Sequence, residues 1–249
     1  MPRNARFGLF MLLTALGVTS ASAATYVVKV KGTVQLNLLS SFNFASELAA
    51  VTVGQTVRIT YALNTSAFPN SAGDGSIYLR YDNQVANVTQ AMRSRVRVGQ
   101  QLYNVDNSVY PRQGIAETDS SQVVVFPGTP GEMFWVQDST VSDNFANPAV
   151  TSLRIRAAYI VASAPDGAGL VIGPVTDLNH HIDFSQAQFK QGILQDFQFG
   201  RVPGGGGFRA VNSDTVWFSV DEISIRRCEH AFYWLASGAP MPEEVECDD

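Results

Sequence analysis

Apolar and polar residues alternate at every second position over long stretches of this chain. The alternation is clearest over residues 26–30, 57–63 and 153–161. Successive side chains of a β-strand point to opposite faces of a sheet. Each segment is therefore predicted to be a strand with one face on an apolar core and the other toward water.

The third of these segments assigns particular residues to each face. Tyr159 and Val161 belong to its apolar set, which we expect to contact the core. Arg154 and Arg156 alternate with that set and are expected to face water.

Turn-forming residues separate further strand-like segments. Residues 96–98 and 101–103 flank a Gly-Gln pair, which predicts a hairpin with glycine in the turn. Residues 122–126 and 133–137 flank a connector rich in proline and glycine. Many short strands with turn signals between them predict an all-β protein, a β-sandwich or jelly roll.

Helical patterns are few. Short helices are predicted within residues 44–50, 185–194 and 229–236, with Ser185 as a possible cap of the second. The fold class is therefore all-β with one to three short helices.

The segment of residues 215–226 changes its apolar face part-way. Every second residue is apolar up to Val220, and the series resumes at Ile223, one position out of phase. A β-bulge at the intervening acidic pair would add one residue and restore the core face. The alternative is a strand that is buried on both faces.

The N-terminus has the three parts of an export signal. Arg3 and Arg6 form a positive region, residues 7–18 are mostly apolar, and residues 21–23 follow the A-x-A cleavage pattern. We therefore expect a signal peptide over residues 1–23 and a protein that is secreted, either periplasmic or extracellular.

Cys228 and Cys247 are the two cysteines of the chain. An even count in an exported protein predicts a disulfide. That bond would tie an acidic tail, residues 240–249, to a single β-sandwich domain of residues 24–239. Two free thiols or a metal-binding pair are the alternatives.

The charge balance restricts the partners. The chain has 17 basic and 22 acidic residues, and cleavage of the signal would remove two arginines, giving a formal charge of −7. An acidic protein repels nucleic acid, so none is expected as a partner. After cleavage no apolar stretch is long enough to insert into a membrane.

Aromatic side chains are the main candidates for ligand binding. Trp135 and Trp217 would suit a sugar-stacking platform, because the apolar faces of sugar rings pack on flat aromatic rings. Packing of both rings in the core is the alternative.

Residues 177–183 form the densest group of metal-ligand residue types. Two histidines and two aspartates fall within these seven positions. Imidazole and carboxylate together suit zinc or a related metal. On a strand His181 would share a face with Asp183, whereas His180 would not. A polar loop without metal is the alternative.

The sequence FSVDEISI, residues 218–225, resembles the closing strand of secreted jelly-roll carbohydrate-binding modules. In such modules the acidic position can help to hold a structural calcium ion. The resemblance implies Asp221 as a calcium ligand and no other cofactor.

A second resemblance covers residues 25–98. The segments GTV at residue 32, VGQTVRITY at residue 53, and a polar stretch before Ile77-Tyr78 are similar to bacterial exported proteins of the PEP-CTERM-associated type. The sorting tail of that family is absent here, because Met241-Pro242-Glu243 stands without an apolar helix and basic end. The resemblance implies an exported β-sandwich and no particular activity.

Catalytic motifs are missing from the sequence. Neither a Gly-x-Ser-x-Gly elbow nor a His-Glu-x-x-His pair occurs. We expect a secreted, non-catalytic β-sandwich that binds carbohydrate or matrix at the cell surface. The alternatives are a structural or adhesion protein with a protein partner, and a glycan-active hydrolase or lyase.

Overall fold

The computed structural model describes residues 24–39, 46–65, 77–83, 92–103, 105, 117–126, 131–142, 152–172, 178–202, 208–237, 241–242, 245 and 247. The predicted signal peptide, residues 1–23, lies outside them. Ten strands are described: β1 Thr25–Leu38, β2 Thr56–Asn64, β3 Ile77–Asn83, β4 Met92–Val98, β5 Gln101–Tyr103, β6 Glu117–Phe126, β7 Gly131–Ser142, β8 Ser152–Pro165, β9 Phe189–Arg201 and β10 Phe208–Arg227. The described helices are α1 Leu178–His181, α2 Ala231–Ser237, and the 3-10 turns Glu47–Ala50 and Phe184–Gln186.

The strands form one continuous antiparallel sheet. Their order is β3-β6-β7-β8-β9-β10-β1-β2-β4-β5, so β3 and β5 are the edges. Strands β6 to β10 follow one another as a meander, and β1 then pairs with both β10 and β2. The prediction of an all-β protein is confirmed.

The sheet folds over so that its two halves share an inner face. Tyr103 on β5 donates its hydroxyl hydrogen to the carbonyl of Gln195 on β9. The guanidinium carbon of Arg156 on β8 lies 6.0 Å from the centre of the Tyr103 ring. A single buried apolar cluster joins both halves; its members include Val28, Ile59, Val96, Val123, Phe134, Ile160, Leu194 and Phe218.

Several segments follow the predicted alternation. The even residues of 26–30 and the odd residues of 57–63 are buried in the core, as expected. Gly99 lies in the β4–β5 turn with a φ of 58°, a conformation that glycine adopts without strain. These strands and the hairpin are confirmed.

Strand β8 presents the opposite face to the one predicted. Ala158 and Ile160 are fully buried, whereas Tyr159 and Val161 are partly exposed on the outer face. Arg156 points inward and is only 7 % exposed. The predicted faces of β8 were wrong because Arg154 and Arg156 form ion pairs with acidic side chains, described below. These ion pairs replace the hydration that an arginine side chain would have in water.

The helix predicted over residues 185–194 was also wrong. Phe184–Gln186 is a single 3-10 turn, and β9 begins at Phe189. The side chain of Asp183, not Ser185, caps the turn by accepting from the Ser185 N–H. The short turns predicted within residues 44–50 and 229–236 are present, as Glu47–Ala50 and as α2.

The phase change in β10 is a β-bulge. Lys31 on β1 lies opposite Glu222, whereas the next residue, Gly32, lies opposite Val220. Asp221 is therefore the additional residue on β10. Beyond it, Ile223 lies opposite Val30 and packs against the core. The bulge returns the apolar residues to the inner face, as one of the two predictions proposed.

A smaller apolar cluster covers the outer face of the sheet, where β1 begins and β2 ends. It joins Val27 and Ala62 of the sheet to α2 and to the C-terminal residues; its members also include Cys228, Ala231, Leu235, Met241 and Val245. Cys228 and Cys247 face each other, with Cα atoms 4.9 Å apart, within the range of disulfide-bonded cysteines. The predicted pair is therefore at disulfide distance.

Candidate functional site

A row of large side chains crosses the outer face of the sheet. Tyr159 on β8 lies opposite Ile193 on β9, Ile193 lies opposite Trp217 on β10, and Trp217 lies opposite Leu36 on β1. The first three side chains are partly exposed, and Leu36 is 46 % exposed. Four adjacent strands thus carry a continuous apolar row on the side away from the core.

Trp135 extends this row onto β7. Its ring centre lies 6.2 Å from that of Tyr159, with the ring planes tilted by 36°. We call Trp135, Tyr159, Ile193, Trp217 and Leu36 the aromatic face. The structure therefore brings the two tryptophans predicted as ligand-binding residues to one surface, and neither belongs to the buried core.

Two polar groups on the aromatic face differ in what they offer a ligand. The Tyr159 hydroxyl is protonated at neutral pH and able to donate, and burial raises its pKa still further. The indole N–H of Trp135 is buried without a hydrogen-bond partner. Contact with a ligand at Trp135 would therefore use the apolar ring surface.

A polar network borders the aromatic face at the bulge. Ser219, two residues from Trp217 on the same face, donates to a carboxylate oxygen of Asp221 at 2.9 Å. Thr33 donates to the other oxygen of Asp221, also at 2.9 Å. Gln35 donates to the Ser219 hydroxyl at 3.3 Å. The bulge thereby places a carboxylate, two hydroxyls and an amide beside an exposed indole.

The three residues predicted as metal ligands each have protein partners. Both oxygens of Asp221 accept hydrogen bonds from hydroxyl groups, as described above. The Nδ1 atom of His181 lies 2.6 Å from the carbonyl oxygen of Ile172, to which it donates. Hydrogen bonds from the side chain and the backbone N–H of Ser185 lower the pKa of Asp183.

Within the described ranges, no group of three or more histidine, cysteine or acidic side chains is arranged to hold a metal. Asp221, His181 and Asp183 as zinc or calcium ligands stay predictions.

A second polar cluster lies inside the fold, and sequence reasoning missed it. Asp196 on β9 is 1 % exposed and accepts two hydrogen bonds from Arg154, one of them at 2.7 Å from Nε. Ser46 also donates to Asp196, at 3.0 Å. Arg156 pairs with Glu47 at 3.0 Å.

This interior cluster joins the 3-10 turn Glu47–Ala50 to β8 and β9. Asp214 lies directly opposite Asp196 and is 2 % exposed, so solvent and substrates do not reach either carboxylate. We therefore assign the cluster a structural role. Arginines at alternate positions beside small apolar residues were the sequence signal that could have revealed it.

Comparisons with models of protein families, with curated proteins and with solved structures find no match to this chain. In the part of the chain that the structure describes, no helix has both the length and the apolar character needed to cross a membrane. The paired cysteines are compatible with an extracellular or periplasmic location.

Proposed function

We propose that this chain is an exported, non-catalytic protein that binds carbohydrate through its aromatic face. One observation carries the proposal. Trp135, Tyr159 and Trp217 share the outer surface of the sheet with partly exposed rings, although sheet aromatics in a protein of this size usually pack in the core. The polar network beside Trp217 would supply hydrogen bonds to sugar hydroxyls.

The spacing of the rings favours an extended ligand. Trp135 and Trp217 are on strands three places apart in the sheet. At about 4.8 Å per strand, the rings are roughly 14 Å apart across the sheet. A single sugar ring contacts one of them at a time, so we expect an oligosaccharide to bind more tightly than its monosaccharide.

Isothermal titration with neutral oligosaccharides of increasing length tests this proposal. A glycan array would first select the series. Replacing Trp217 with Ala should raise the Kd about tenfold, which corresponds to about 1.4 kcal/mol of lost stacking. Trp217→Tyr keeps an aromatic ring and should retain much of the affinity.

Tyr233→Ala is the matched control, because Tyr233 is an exposed aromatic residue, 62 % accessible, on α2 rather than on the aromatic face. It should bind like the unaltered protein. Equal affinities for Trp217→Ala and Tyr233→Ala, or no binding to any glycan, would reject the proposal.

A protein partner is the second candidate. Leu36 and Leu38 are 46 % and 52 % exposed at one end of the aromatic face. Exposed aliphatic side chains next to aromatic ones are typical of protein contact surfaces. Concentration-dependent assembly that is abolished by Leu38→Asp, without glycan binding, would favour this adhesion role.

The remaining proposals have narrower support. Export depends on the predicted signal peptide, and kinship with PEP-CTERM-associated proteins depends on residues 25–98. A glycan hydrolase generally needs two accessible carboxylates across a cleft. Asp196 and Asp214 do not meet that need, because both are buried.

A further inference from the structure

The two tryptophans of the aromatic face are offset from each other along the strands. Trp135 on β7 lies opposite Val161 on β8. Val161 lies opposite Gln191 on β9, which lies opposite Ser219 on β10. Trp217 is two residues from Ser219 on β10. A line from Trp135 to Trp217 therefore runs diagonally over β7 to β10 and is about 16 Å long.

Two polar side chains lie on opposite sides of this line. On β8 the line passes between Val161 and Tyr159. On β9 it passes between Gln191 and Ile193. Tyr159 lies opposite Ile193, so Tyr159 and Gln191 are on different sides. One hydrogen-bonding group thus borders each edge of the strip that joins the two indoles.

The side-chain amide of Gln191 is available to a ligand. The side chain is partly exposed, and it forms no hydrogen bond with the described part of the chain. A side-chain amide offers donor hydrogens and an acceptor oxygen, which match the hydroxyl groups of a sugar. A sugar chain laid along the line would contact apolar surface beneath it and a hydrogen-bonding group at each edge.

The side chains that border the line on β7 to β10 are all uncharged. They are Trp135, Gln137, Tyr159, Val161, Gln191, Ile193, Trp217 and Ser219. Beyond Ser219 on the outer face of β10 stands the exposed carboxylate of Asp221. A negatively charged sugar would lose hydration on this strip without gaining a counter-charge, and Asp221 would repel it.

We infer that the aromatic face binds an uncharged glycan chain along the line from Trp135 to Trp217, with Gln191 as a specificity-determining residue. The inference rests on the proposed carbohydrate-binding function and adds to it the charge and the direction of the ligand. A chain of sugar rings carries hydroxyl groups along both edges, so one ligand can use Gln191 and Tyr159 together. Phosphorylated, sulfated and uronic-acid glycans are expected not to bind.

The test compares neutral and charged hexamers by isothermal titration at low salt, where repulsion between charges is least screened. Cellohexaose and mannohexaose are the neutral ligands, and the hexamers of β-1,4-glucuronic and β-1,4-mannuronic acid are the charged ones. Each acid has the backbone of one neutral hexamer and differs from it only in the oxidation of its primary alcohols. We expect a neutral hexamer to bind at least about tenfold more tightly than its acid.

Variants of Gln191 test its role in specificity. Gln191→Leu removes the amide at similar volume and should raise the Kd of the neutral hexamer about fivefold, as expected for one lost hydrogen bond between neutral groups. Its midpoint of urea unfolding should stay close to that of the unaltered protein, because the amide has no partner within the described chain. Gln191→Lys places a cation beside the line and should increase the affinity for the acid hexamers.

Gln100→Leu is the matched control, because Gln100 is an exposed glutamine in the β4–β5 turn. It should bind like the unaltered protein. Trp217→Ala separates this inference from the proposed function. Binding that needs Trp217 but is indifferent to ligand charge, or is equal in Gln191→Leu and Gln100→Leu, would overturn this inference alone. Binding that survives Trp217→Ala, or no binding of any hexamer, would overturn both.

Discussion

Phe218 and Gly192 pack closely against each other in the core. They lie opposite each other on β10 and β9, with the phenyl ring placed over the glycine. A Cβ atom on Gly192 would stand 1.9 Å from the tip of that ring. The core therefore depends on a residue without a side chain at this position.

Gly192→Ala should destabilise the protein by about 1–3 kcal/mol, because the ring must move out of a packed site. Urea unfolding measures the change. Adding Phe218→Leu to Gly192→Ala makes room for the new methyl group, and the double variant should lose less than the two single changes combined. Additive losses would show that the predicted clash does not occur.

Glu132 is a buried carboxylate that holds a loop. Its oxygens accept from the N–H groups of Gly169 and Val171 at 3.2 and 3.0 Å. Burial raises the pKa of this carboxyl, but backbone hydrogen bonds from residues 167–171 oppose burial and bring the pKa below its ordinary value of 4.5. The charged form is thus favoured in the folded protein.

The lowered pKa of Glu132 makes the stability of the folded protein depend on pH. The contribution of Glu132 is fully present above pH 4.5 and is lost as the pH falls through the folded-state pKa. Glu132→Gln should cost about 1–3 kcal/mol at pH 7, and the difference from the unaltered protein should narrow toward pH 3. The exposed Glu222→Gln serves as control. A difference that stays constant with pH would contradict this account.

At the scale of elements, the interior cluster connects the two halves of the sheet. Asp196 on β9 binds Arg154 on β8 and Ser46 next to the 3-10 turn. Glu47 in that turn pairs with Arg156. These contacts hold the turn, which precedes β2, against strands from the other half.

Asp196→Asn should destabilise the protein by about 3 kcal/mol, because it leaves Arg154 partly buried without its counter-charge. Disrupting the exposed Lys31–Glu222 pair with Lys31→Met should cost less than about 0.5 kcal/mol. Thermal and urea unfolding compare the two. Similar losses would show that burial does not set the strength of these ion pairs.

Many of the strands were predictable from sequence, but β9, which was predicted to be partly helical, and the face of β8 were not. Alternation fixes which residues share a face without fixing which face is inward. In β8 the alternate residues that include Tyr159 and Val161 are more apolar than those that include Arg156 and Ala158. Alternation alone therefore predicted the wrong inward face. The ionic partners that decide the matter come from the distant turn at Glu47, which no local pattern shows.

The aromatic face was predictable in part. Trp135 and Trp217 were identified by residue type, because exposed indoles are common in sugar sites. Tyr159 and Ile193 were missed, since their neighbourhood depends on the register of β8 against β9 and β10. In β10 the bulge could be predicted from the sequence, because one extra residue shifts the apolar positions from one alternating series to the other.

At the scale of the whole molecule, Cys228 links the first described strand to the C-terminal residues, because it contacts Thr25 on β1 and pairs with Cys247. Thr25 accepts from the Cys228 N–H at 2.8 Å, and its hydroxyl donates back to Cys228. A disulfide closing a loop of 19 residues contributes about 3 kcal/mol by the chain-entropy estimate. Cys228→Ser/Cys247→Ser should therefore unfold at lower urea concentration than the oxidised protein. Reduction should make their midpoints equal, and a persistent difference would point to other effects of the serines.

The pairing of β1 with β10 also determines when the protein can fold. Strand β1, the first of the described strands, stays without one of its two neighbours until nearly 200 further residues have been made. Pairing between strands so far apart in sequence slows folding, and one edge of β1 stays unpaired until β10 is available. In a chain exported as we propose, the seam between β1 and β10 at the centre of the sheet would close only after translocation had delivered β10.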